Sequence, residues 1–169
     1  FRKTKFSKVL YNRVTLHGNT DNNNQSYNAI AMYGWAEEFL IQGNSVFKSG
    51  HSAIACSMAF NGIVKENFVT GVPFNVEGGI EVENKWGHAR DDTAYTTNGI
   101  KVVNNIVTGC NLGIMVTNRN GGGSTNPQPT SRGCYNILID GNSVYDSIES
   151  DIIVFDILSG TPVTANTHS

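Results

Sequence analysis

The chain has 169 residues, 12 basic and 14 acidic side chains, a formal net charge of −2 and 15% charged residues. That length supports one continuous core rather than two ordinary domains, and the balance lacks the basic field that binding nucleic acid or an anionic membrane surface requires. No apolar run nears the ~20 residues of a membrane span, and 21 asparagines with 18 glycines exclude a mainly helical fold, because helices disfavour both residues.

From the N-terminus the chain alternates two apolar patterns. The first, Val9-Leu10-Tyr11-Asn12-Arg13-Val14, is apolar at both ends with asparagine between, and is predicted as a short strand. The second follows at Ile30 and Met32, two apolar residues separated by one that points the other way. Such period-two alternation marks a strand with one buried face. The two patterns then recur as Ile41 to Val46 with Ile54 and Cys56, and as Val64 to Val69 with Ile80 and Val82. They recur again as Val102 to Val107 with Ile114 and Val116, and as Ile139 to Val144 with Ile152 and Val154. The 39% hydrophobic content, rich in Ile and Val, weighs against disorder.

No helical segment separates the copies, which excludes a βαβ architecture, and the two-residue hairpin signals of a meander are missing. The remaining economical arrangement is a coil in which each copy makes one turn and stacks on the next. The asparagines at 12, 44, 67, 105 and 142 are then predicted to stack at a bend as a ladder of mutually satisfied amides. This repeat resembles the right-handed parallel β-helix of pectate-lyase-like and other carbohydrate-active proteins, over residues 6 to 156. The resemblance implies an all-β fold, a right-handed parallel β-helix (solenoid) of about five coils forming one domain over residues 1–169. It also implies a secreted, cell-surface or virion-surface location. It is specific for architecture and silent on activity. The first residue, Phe1, predicts a processed piece or module of a larger protein. Neither end carries an amphipathic capping helix, so open strand edges predict a stacking or capping partner there.

Asparagine-to-asparagine spacings of 32, 23, 38 and 37 residues place an extra loop in each of the third and fourth copies. The loops are predicted from roughly Asn84 to Asn98 and from Asn118 to Ser131, both leaving the same corner. A smaller polar insertion near Thr20 to Gln25 includes Asn24-Gln25-Ser26, a glycan acceptor pattern. Loops on one corner of adjacent copies make the walls of a groove.

The third copy carries the densest chemistry, Glu81-Val82-Glu83-Asn84-Lys85-Trp86-Gly87-His88-Ala89-Arg90-Asp91-Asp92. With Ile80 and Val82 facing the core, Glu81 and Glu83 face away from it, about 7 Å apart by strand repeat. Carboxylates at that range bind calcium, with Asp91 and Asp92 as further oxygen ligands, or act as acid and base in glycoside hydrolysis. Lys85 and His88 are candidate catalytic proton carriers of the kind a lyase requires. Arg90 and Arg119 are candidates to bind substrate carboxylates, and Trp86 and Tyr33 to offer aromatic surface to a sugar. The outward register sets Ala31, Ala55, Met115 and Ile153 beside Glu81, and Tyr33, Ser57, Thr117 and Phe155 beside Glu83.

These residues point to an acidic polysaccharide as partner, calcium as the one candidate cofactor, and a polysaccharide lyase or glycoside hydrolase if the chain is an enzyme. The segment Glu77-Gly78-Gly79-Ile80-Glu81-Val82-Glu83 is similar to the Glu-x-Glu strand of the alginate lyase and chondroitinase B group. However, glycine stands at the second calcium position and Glu83 where that group has lysine, so no family activity transfers. Plainer readings compete: solvated strand charge, a self-paired loop, and a non-catalytic structural or adhesive β-helix such as a spike shaft or matrix module. Arg2, Lys3, Lys5, Lys8 and Arg13 gather at the start and read as a solvated first turn. Among the cysteines, Cys56 falls in a core register, and Cys110 with Cys134 is the one pairing weighed.

Overall fold

The computed structural model describes residues 4–15, 28–71, 78–86, 96–120, 133–155 and 163–167. Every regular element among them is a strand: β1 (Lys8–Leu10), β2 (Arg13–Thr15), β3 (Ile30–Tyr33), β4 (Leu40–Gln42), β5 (Ser45–Phe47) and β6 (Ile54–Ser57). There follow β7 (Ile63–Lys65), β8 (Phe68–Thr70), β9 (Gly78–Trp86), β10 (Thr97–Asn98), β11 (Lys101–Val103) and β12 (Ile106–Thr108). The series ends with β13 (Leu112–Asn120), β14 (Cys134–Tyr135), β15 (Ile137–Tyr145), β16 (Ser150–Phe155) and β17 (Val163–Thr167). Among the described residues no helix is long and apolar enough to cross a membrane.

The strands form a ten-stranded, a five-stranded and a two-stranded sheet, and the pairings within them are parallel. Parallel neighbours need a long crossover, usually a helix. Here strands supply it, since the path from β4 to its partner β7 runs through β5 and β6. In the five-stranded sheet, ordered β16-β13-β9-β6-β3, the Cα partners run Ile30, Ile54, Ile80, Ile114, Ile152. The ten-stranded sheet carries two more apolar columns: Val9, Ile41, Val64, Val102, Ile139 and Val14, Val46, Val69, Val107, Val144. These columns meet in one hydrophobic core, with Ile41, Ile54, Val64, Ile80, Val102 and Ile114 fully buried. Each such side chain stabilises the fold by about 1.5–3 kcal/mol relative to exposure.

The asparagine ladder forms as expected. The backbone N–H and Nδ2 of Asn12 donate to Asn44 Oδ1 at 2.9 and 3.0 Å. Asn44 repeats this toward Asn67, Asn67 toward Asn105, and Asn105 toward Asn142. The amides of Asn44, Asn67, Asn105 and Asn142 also donate to the carbonyls of Val9, Ile41, Val64 and Val102 at 2.8–3.1 Å. One expectation changes: the segment around Asn12, Asn44, Asn67 and Asn105 is two strands meeting at a corner, not one short strand. The residue before each ladder asparagine explains the corner. Tyr11, Gly43, Glu66, Asn104 and Gly141 all adopt φ between 54° and 66°, a left-handed conformation that ends extended pairing and redirects the chain. At Gly141 a Cβ would lie 2.3 Å from Asn104 Oδ1, so a side chain there would displace that amide.

Candidate functional site

The site builds outward from the central strand of the five-stranded sheet. β3 and β6 have four residues each, whereas β9 and β13 have nine and pair in register as far as Trp86 opposite Asn120. The strands therefore run past the expected loop boundaries at Asn84 and Asn118 and end side by side. The chain returns to the same place. Thr97 Oγ1, on β10, donates to Glu83 O at 2.6 Å and accepts from Met58 N–H at 2.9 Å. Cys134 Sγ, on β14, lies 3.8 Å from Val82 O and 3.4 Å from Thr117 O. Both excursions thus leave from and come back to β9 and β13.

The outward register matches expectation residue for residue. Ala31, Ala55, Glu81, Met115 and Ile153 are successive Cα partners, as are Tyr33, Ser57, Glu83, Thr117 and Phe155. The surface-charge alternative does not hold. Glu81, Glu83 and Asn84 are fully buried, together with Ala55, Ser57, Met115 and Thr117, so both faces of the sheet are buried here. Ser52 Oγ donates to Glu81 Oε2 at 2.5 Å. A carboxylate out of water costs several kcal/mol unless hydrogen bonds or countercharge offset it. The cysteines register the same environment. Burial, with Glu81 adding, pushes the Cys56 thiol up; burial, then the Glu83 charge, pushes Cys134 up to about 12. All three cysteines are free and buried, so Cys110 and Cys134 do not pair.

Of the other candidates, Lys85 and Trp86 end β9, and Arg119 on β13 is the Cα partner of Lys85. His88, Arg90, Asp91 and Asp92 lie outside the described residues, as does Asn24. Among the described residues no three His, Cys, Asp or Glu side chains gather as a cation site. Glu81 and Glu83 supply the hard oxygen donors that calcium prefers. Tyr33, two strands from Glu83, is partly buried and its Oη accepts from Asn28 Nδ2 at 2.5 Å. Asn28 Oδ1 in turn meets His51 Nδ1 at 2.6 Å.

Sequence reasoning missed Ser52, Asn28 and His51. Ser52 carried no signal, since it precedes β6 and period two would set it on the side of Ile54 rather than that of Ala55 and Glu81. Two of the first-turn cations are engaged within the fold: Lys5 pairs with Glu37 and Glu38 at 3.2 and 3.3 Å, and Arg13 lies 5.1 Å over the Phe47 ring, while Arg2 and Lys3 lie outside the described residues. Set against known proteins, the chain matches no family model, no curated protein and no solved structure.

Proposed function

We propose that the chain is a right-handed parallel β-helix of about five coils that binds and cleaves an acidic polysaccharide outside the cell, at the face built on β9 and β13. The observation that carries this reading is the pair of carboxylates, Glu81 and Glu83, buried side by side away from the apolar core. An apolar residue at either position would meet no desolvation penalty, so two acids there serve stability poorly. Buried ionisable groups beside charge-rich loops are the usual mark of a reacting or binding centre.

In this reading Glu81 and Glu83 do acid–base work or, with Asp91 and Asp92, hold calcium. Lys85 and His88 carry protons, Arg90 and Arg119 bind uronate carboxylates, and Trp86 and Tyr33 pack against sugar rings. Bound calcium would neutralise a substrate carboxylate and acidify the adjacent C–H. The parallel register and the returns at Thr97 and Cys134 support a common edge for both long excursions.

A second reading, a non-catalytic structural or adhesive module, is favoured by one observation: Glu81 already accepts a short hydrogen bond from Ser52 inside the fold. The two separate in one experiment. The protein is incubated with alginate, pectin and glycosaminoglycans, with and without calcium, while the ultraviolet absorbance of unsaturated products and new reducing ends are followed. Unsaturated product identifies a lyase, and reducing ends alone identify a hydrolase. Silence on both, with no binding, favours the structural module. Activity that survives Glu81→Gln with Glu83→Gln places the chemistry elsewhere.

A further inference from the structure

Ser57 ends β6 on the outward face of the five-stranded sheet, one strand from the acidic pair. Its Cα partners are Tyr33 on one side and Glu83 on the other, so its hydroxyl shares their column. The residue is fully buried, yet its Oγ has no hydrogen-bond partner in the fold. The backbone around it is fixed. Ser57 O accepts from Gly34 N–H at 3.1 Å, and the next N–H, of Met58, donates to Thr97 Oγ1 at 2.9 Å. Ser52 makes the contrast, because its hydroxyl, also buried, donates to Glu81 Oε2.

A buried hydroxyl without a partner costs stability that alanine would not, since it gives up hydrogen bonds to water and regains none. Folded proteins tolerate such a breach mainly at functional sites. What the hydroxyl can meet follows from its neighbour. Strands stand about 4.8 Å apart, so one oxygen lying between Ser57 and Glu83 is within reach of both. When ionised, Glu83 only accepts, at about four positions on its two oxygens, so it takes one more hydrogen alongside the contacts it makes in the fold. The oxygen between them then accepts from Ser57 and donates to Glu83, as a sugar hydroxyl does. The column opens at the edge strand β3, where Ala31 and Tyr33 are partly exposed, and a sugar entering there meets Ser57 before Glu83.

We propose that Ser57 is a substrate-binding residue that donates its hydroxyl hydrogen to a pyranose hydroxyl of an acidic polysaccharide and so presents that sugar to Glu83. The proposal rests on the polysaccharide reading above and adds β6 to its binding face.

The test compares wild type, Ser57→Ala and Glu81→Gln with Glu83→Gln, all as the full chain, by urea unfolding and by titration with oligogalacturonate and oligomannuronate hexamers. The urea midpoint of Ser57→Ala is expected at or above that of wild type, while its hexamer affinity falls about fivefold, the worth of one hydrogen bond. A lowered midpoint shows that the fold itself uses the hydroxyl and overturns the proposal. Wild-type affinity in Ser57→Ala overturns it as well; affinity lost at the same time in the glutamine double variant leaves the main reading standing. A wild-type protein that binds neither hexamer overturns both.

Discussion

Asn105 uses its whole amide. Its Oδ1 accepts twice from Asn67, and its Nδ2 donates to Val64 O, Val103 O and Asn142 Oδ1. Asn105→Leu strands these buried partners and is expected to cost about 2–4 kcal/mol, whereas Asn12→Leu, at the exposed end of the ladder, costs about 1 kcal/mol or less. Urea unfolding measures both. The buried thiols give a second expectation. Cys134 is held up to about 12 by burial and by Glu83, while an unfolded thiol titrates near 8.5. Between about pH 9 and 12 the unfolded chain therefore releases a proton that the folded chain keeps, and stability falls as pH rises. The urea midpoint should drop less from pH 8 to pH 10 in Cys134→Val than in wild type. The ladder was legible because one residue type recurs at one place in a repeat. The burial of Glu81 and Glu83 was not, since alternation gives the direction of a side chain but not what covers it. His51, 23 residues from Asn28 and outside the period-two pattern, carried no signal.

At the scale of elements, the apolar pairs fixed strand register but not strand length. β9 continues through Asn84, Lys85 and Trp86 and β13 through Asn118, Arg119 and Asn120, polar stretches in which no alternation of apolar residues announces a strand. Their pairing with each other extends them, and that mutual support is invisible in either segment alone. The corner at the ladder was missed for a related reason. Left-handed φ at Tyr11 and Glu66 runs against residue preference and is imposed by the ladder beside them. Close packing of successive copies gives a direct check. A Cβ on Gly113 would lie 2.3 Å from Asp151 O and from Val144 Cγ1. Gly113→Ala is accordingly expected to destabilise by about 1–3 kcal/mol. Gly34→Ala, with no atom within 4 Å but φ of 57°, should cost about 1 kcal/mol, purely from its backbone conformation. Thermal unfolding of the two variants compares them.

At the scale of the molecule, parallel sheets built without helices follow from copies that each hold apolar strands but cannot bury them alone. That much was legible from the repeat. Function was not, because His88, Arg90, Asp91 and Asp92, proposed to act with the strand carboxylates, fall beyond β9, where sequence pattern carries no register. The proposed winding brings the acidic strand and both excursions to one edge, and everything said of the polysaccharide face depends on it. Cross-strand nuclear Overhauser contacts of the β9 backbone test this most directly. Contacts from Glu81 to Ala55 on one side and Met115 on the other, continuing to Ala31 and Ile153, are the expected result. Strand neighbours of Glu81 drawn from other segments, or the close Hα–Hα contacts of antiparallel pairing, would contradict it.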